Sequence, residues 1–166
     1  MPRGASVGGD EVARVESEDF HRLYLAARDA DRKLATALRK AIREAGKPIV
    51  SDVRDQIDRI PSSGRHSTGV RQALKAGTRV AISTSARGAG AQFVTSPSKL
   101  PASKRALARA MNMESFRRRV FGSSTWVRQA GHPYFGSTIY AHEPQVRAGI
   151  VRALEDAAER LAEGTT

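Results

Sequence analysis

Four histidines, seventeen carboxylates and no cysteine are the groups from which this chain would have to build a reaction centre. His21, His66, His132 and His142 stand at no spacing that puts two metal ligands on one helix face. His142 is followed directly by Glu143, which begins no metalloprotease motif. Without cysteine there is no disulfide framework, zinc-thiolate site or thiol nucleophile. Between residues 61 and 140 the sole carboxylate is Glu114, whereas hydrolases and metal-dependent nucleases work with pairs of acids. The acids of the two flanks alternate with bases, the pattern of solvated helix faces. Ser62, Ser63, Ser67 and Ser124 are loop serines without a partnering base. Gly88, Ala89 and Gly90 are too few for a phosphate-cradling loop and read as a hairpin turn. We therefore expect no catalytic residue, no metal and no cofactor.

Positive charge is the distinctive feature. The chain of 166 residues carries a formal charge of +11 and a sequence pI near 11.0. Residues 1–60 hold a net +1, residues 61–140 a net +12 and residues 141–166 a net −2. Such a field is neutralised by solvent, as on a solubilising surface, or by a polyanion or an acidic protein surface; the flanks show that this chain can balance its charges, which favours a charged partner. The candidates for that contact are Arg87 at a hairpin tip, Lys104, Arg105 and Arg109 on a helix, and the run Arg117, Arg118 and Arg119. In a strand, alternation puts Arg117 and Arg119 on one face and Arg118 on the other. Such groups touch phosphates without reading bases. Salt bridges to carboxylates of the same chain or of a neighbour remain the competing reading. Phe121, Trp126, Tyr134 and Phe135 are aromatic anchors in a chain only 5% aromatic. They read either as a plug in the core or as anchors of a subunit interface.

The elements that position these residues follow from periodicity. Residues 1–17 are rich in Gly, Ser and charge and read as a flexible arm, leaving residues 18–166 as one domain. No apolar run follows Arg3, so a signal peptide is not expected, and no stretch approaches a membrane span. Ser17 before Glu18 and Asp19 marks a helix start. Phe20, Leu23, Tyr24, Ala27, Leu34, Leu38 and Ile42 form one stripe on a long helix. Gly46 and Pro48 should end it, with a second helix over Ile49, Val53, Ile57 and Ile60 closed by Pro61 to Gly64. A short helix is expected from Thr68, with Val70, Ala73 and Leu74 inward. Residues 78–84 and 92–95 alternate as a β-hairpin, residues 102–113 as a helix, and residues 117–121 and 125–129 as two further strands. A last helix from Glu143 carries Val146, Ile150, Leu154, Ala157, Ala158 and Leu161, with Gly164 as its stop. The expected fold is α+β: a long N-terminal helix, a small antiparallel sheet of about four strands, and a C-terminal amphipathic helix packed on the sheet.

The block Arg119-Val120-Phe121-Gly122-Ser123-Ser124-Thr125-Trp126-Val127-Arg128-Gln129, then Gly131-His132-Pro133-Tyr134-Phe135 and a closing amphipathic helix, resembles the tail-component (tail-completion) family of siphophage neck proteins. Val120-Phe121-Gly122 and Trp126-Val127 stand in register with the family pattern. Ser123-Ser124 departs from it, since Asn-Arg is common there. The likeness covers about residues 117–163. It implies a non-enzymatic virion protein, assembled in the host cytoplasm and placed in the neck or upper tail. The family forms rings, a hexamer by analogy to tail symmetry, between the head connector or stopper and the tail terminator or tail tube. Genomic DNA passes non-specifically through the lumen, and no membrane is involved. Two alternatives remain open: the tail terminator itself, and a free basic nucleic-acid-binding protein.

Overall fold

The computed structural model describes residues 5–7, 10–16, 18–60, 68–120 and 122–163. Six helices and six strands follow in the order β1 (Ala5–Val7), β2 (Asp10–Glu16), α1 (Glu18–Ala30), α2 (Arg32–Asp58), α3 (Thr68–Gly77), β3 (Thr78–Ser83), β4 (Gly90–Thr95), α4 (Ala102–Met111), β5 (Ser115–Arg119), β6 (Trp126–Ala130), α5 (Gly136–Ala141) and α6 (Glu143–Glu163) among the described residues. The fold is α+β. The strands form two antiparallel sheets rather than one: four in the order β1-β2-β4-β3, and a separate ribbon of β5 and β6.

The segment expected to be a loose arm supplies an inner strand of the larger sheet. Val15 pairs with Ala91, and Ala13 pairs with Phe93. All four are buried, with Ala13 and Val15 alternating with exposed Arg14 and Glu16. Paired residues of β3, Val80 and Ile82, continue the same face. This apolar face lies under α2. Gly90 makes the approach of β2 possible: its φ is +146°, and a Cβ there would stand 2.3 Å from the Val15 carbonyl oxygen.

The long helix breaks elsewhere than expected. It divides at Asp31, whose extended backbone (φ −154°, ψ 122°) and carboxylate, accepting from the Lys33 amide at 2.8 Å, cap α2. Gly46 and Pro48 lie inside α2. An interior proline costs about 3 kcal/mol. Burial of Ile49, Val53 and Ile57 in the following turns returns about 1.5–3 kcal/mol each and outweighs it. Gly46 has a packing role: a Cβ there would meet Val80 Cγ2 at 2.7 Å and Phe93 Cε1 at 3.3 Å, so its absence lets α2 settle onto the sheet.

Helix α6 packs on α1, α2 and α5 and reaches β2. It buries Val146, Ile150, Ala153 and Ala157. Helix α3 buries Val70 and Leu74, as its spacing predicts. Among the described residues no helix is long and apolar enough to cross a membrane. Ser17 as a cap, the stop at residues 61–64, Gly164 and the Phe121 anchor lie outside the described residues.

Candidate interaction surface

The ribbon begins where α4 ends. Asn112 caps α4 with its backbone, and its side-chain oxygen accepts from the amides of Tyr134 (3.1 Å) and Phe135 (3.0 Å). The His132 amide donates to the Met111 carbonyl at 2.7 Å, and the Gly131 amide to Glu114 at 2.9 Å. These bonds clamp both ends of the hairpin to the end of α4. Tyr134 and Phe135 then enter the core, at 1% and 3% exposure. The core reading holds for these two aromatics. Burial pushes the Tyr134 phenol well above its ordinary value of 10.0, and the Glu11 carboxylate adds to the shift.

Beyond the clamp the ribbon stands largely in solvent. Its pairing sets Arg117 opposite Arg128, Arg119 opposite Trp126 and Arg118 opposite Val127. Directly paired residues share a face, so Arg117, Arg119, Trp126 and Arg128 form one side. Phe116, Arg118, Val127 and Gln129 form the other, where Arg118 donates to Gln129 Oε1 at 2.5 Å. Trp126 is 53% exposed, which overturns its reading as a core plug. The guanidinium carbons of Arg117 and Arg119 each stand 6.0 Å from the Trp126 ring centroid, an outer cation–π distance. Arg128 spends its guanidinium on Ser115 Oγ, at 2.8 and 3.0 Å.

This side has two arginines facing one another and no acid. Like charges directly opposite are unfavourable in a sheet. Two strands alone are marginal in water. Among the described residues no carboxylate pairs with Arg87, Lys104, Arg105, Arg109, Arg117, Arg118 or Arg119; the ion pairs lie elsewhere.

The other basic candidates are only partly gathered here. Lys104, Arg105 and Arg109 are exposed on α4, which packs on β5. Arg105 is tied down by donating to the Leu100 (3.0 Å) and Ser98 (3.2 Å) carbonyls. Arg87 lies in the turn between β3 and β4, in the other sheet. Arg128 and Asn112 were missed in the sequence. Arg128 joins the arginine face only through the hairpin register, and Asn112 carried no signal beyond standing at a helix end.

One arrangement resembles a reaction centre. His142 Nε2 lies 2.7 Å from Asp52 Oδ2, beside Ser137 and Thr138 in an open hollow. The Ser137 hydroxyl donates to the Pro133 carbonyl at 2.9 Å and Thr138 to that of Tyr134 at 3.0 Å, so both are committed to backbone carbonyls of the segment just before α5. The His142–Asp52 pair joins α2 to the junction of α5 and α6. No group of three or more metal-ligating side chains occurs among the described residues. No family model, no curated protein and no solved structure matches this chain.

Proposed function

We propose that this chain is a non-enzymatic ring subunit of a bacteriophage neck or upper tail, joining the head connector to the tail tube around a DNA passage. The observation that carries the reading is the β5–β6 ribbon: an exposed arginine face around Trp126 whose counter-charges the described part of the chain does not supply. In a solitary monomer the facing arginines repel, and the indole stays half in solvent with only outer-distance arginine contacts. A subunit whose neighbours cover that ribbon gains, because Trp and Arg are the residues that anchor interfaces. The resemblance of residues 117–163 to siphophage tail-completion proteins spans this ribbon and the helix that follows.

The test is the location of the chain in purified tailed particles, by cryo-electron microscopy of the neck combined with mass spectrometry of the virion. Density fitting a ring of this chain between connector and tail tube is expected; its absence from the particle refutes the reading. A free nucleic-acid-binding protein predicts instead submicromolar DNA binding by the isolated chain, falling steeply with salt. A lumen protein binds DNA weakly and without sequence preference.

A further inference from the structure

A second surface complements the ribbon. Helices α1 and α6 pack together but leave an open groove of about 570 Å³ floored by Leu23, Ala26, Leu154 and Ala158. Val151 on its wall is 45% exposed, one of the few large apolar side chains left in solvent. Asp19 and Glu155 stand on the same groove, with Arg22 bound to Asp19 at 2.6 Å. Glu159, one turn after Glu155 on the same side of α6, is exposed. Among the described residues, Glu155 and Glu159 pair with no cation of their own chain. The groove is thus apolar within and acidic beside α6. The ribbon is the inverse, an exposed indole flanked by Arg117 and Arg119.

We infer that the β5–β6 ribbon of one copy docks in the α1–α6 groove of the next, with Trp126 against Leu154 and Val151 and with Arg117 and Arg119 facing the α6 carboxylates. The occupant is a second copy of this chain because the charges and the apolar surfaces of the two faces match. Ribbon and groove belong to different elements, so the contact is head-to-tail: each copy gives a ribbon and receives one. Such an interface closes into a ring when its rotation allows. The inference rests on the ring reading above and names the surfaces that would build it. One indole covers less than the roughly 800 Å² per partner of a stable interface. The strands on either side of Trp126 must therefore lie along the helices as well.

Head-to-tail pairing has a diagnostic test. Trp126→Ala destroys the ribbon side and leaves the groove; Val151→Glu destroys the groove side and leaves the ribbon. Both positions are exposed in the protomer, so circular dichroism and the melting temperature should stay near wild type. In sedimentation velocity each variant alone is expected to lose at least about 30-fold in association, the loss of a central anchor. An equimolar mixture should recover one good interface and stop at a dimer. Should Trp126→Ala loosen the ribbon, Arg119→Glu carries the same test: it should abolish assembly alone and regain it with Glu155→Arg. A mixture that stays monomeric, or a wild-type chain monomeric at every concentration, overturns the interface. Rings that form normally from both variants sink the interface and leave the ring standing. A mixed dimer of a chain found in no particle sinks the neck reading and leaves the interface standing.

Discussion

Reversing Arg117 should stabilise the protomer. Arg117 faces Arg128 across the ribbon. Two unit charges about 5.5 Å apart in water repel by about 0.75 kcal/mol. Arg117→Glu turns that repulsion into attraction, a swing of about 1.5 kcal/mol at low ionic strength and about half of that at 0.15 M, where the Debye length is about 8 Å. Facing guanidinium groups splay apart and already relieve some of the repulsion, so the expected gain is about 1 kcal/mol in low salt. For a chain of this size that is about 2–4 °C in melting temperature. The measurement belongs in a Trp126→Ala background, which removes both the ring contact of Arg117 and any self-association through the indole. Differential scanning calorimetry at 10 mM and 150 mM salt then reads the electrostatic part alone. The gain should shrink as salt rises. A melting temperature that falls in low salt would mean that Arg117 is neutralised within its own protomer, and the case for an external partner at this face would fail.

Two further outcomes test the fold around this surface. Gly90→Ala should destabilise by at least about 2 kcal/mol, since a side chain would sit in a strained backbone region and against the Val15 carbonyl; an unchanged melting temperature by thermal denaturation would detach β2 from the sheet. Tyr134→Phe should flatten the alkaline limb of stability. The Tyr134 value is raised by burial and by Glu11, so its contribution is complete below about pH 10, where the unfolded tyrosine still holds its proton. Above that pH the unfolded state ionises first, and wild-type stability should fall by about 1.4 kcal/mol per pH unit more than that of the variant, until the folded phenol also titrates. Equal slopes in pH-dependent urea denaturation would place the phenol in water.

The helices were legible because their apolar stripes recur over several turns: Leu38, Ile42, Ile49, Val53 and Ile57 are buried where the spacing puts them. Their punctuation was not. Gly46 and Pro48 are breakers by local preference, but α2 is held by what it buries, and the smallest residue is the one that fits against Val80 and Phe93. Asp31, one charge among many in a charged stretch, makes the break instead. Strand β2 was hidden for a different reason. It buries only Ala13 and Val15 between charged residues, and its partner β4 lies far along the chain, so no local pattern distinguishes it from a polar arm. At the ribbon, alternation separated Arg117 and Arg119 from Arg118. It does not say which face is covered, and the exposure of Trp126 had no local signal.

The ribbon breaks several local rules at once, and they are the rules a partner would satisfy. Its strands have no third strand beside them among the described residues, and open edges invite pairing or cover. Its arginines oppose each other, and its one tryptophan faces water. Yet the base is well made: Asn112 accepts two amide bonds, and Tyr134 and Phe135 drive the next segment into the core. A segment that was merely loose would not be clamped so firmly at its root. Firm anchoring with an unsatisfied surface is the pattern of an element held out for another molecule. Departures from local consistency are expected at functional sites. The His142–Asp52 pair shows the opposite case: its neighbouring hydroxyls are already bonded to backbone carbonyls, and its two elements are already packed together. That pair is explained by the fold, whereas the arginine–tryptophan face has no carboxylate partner among the described residues, which is what the proposed neighbour would supply.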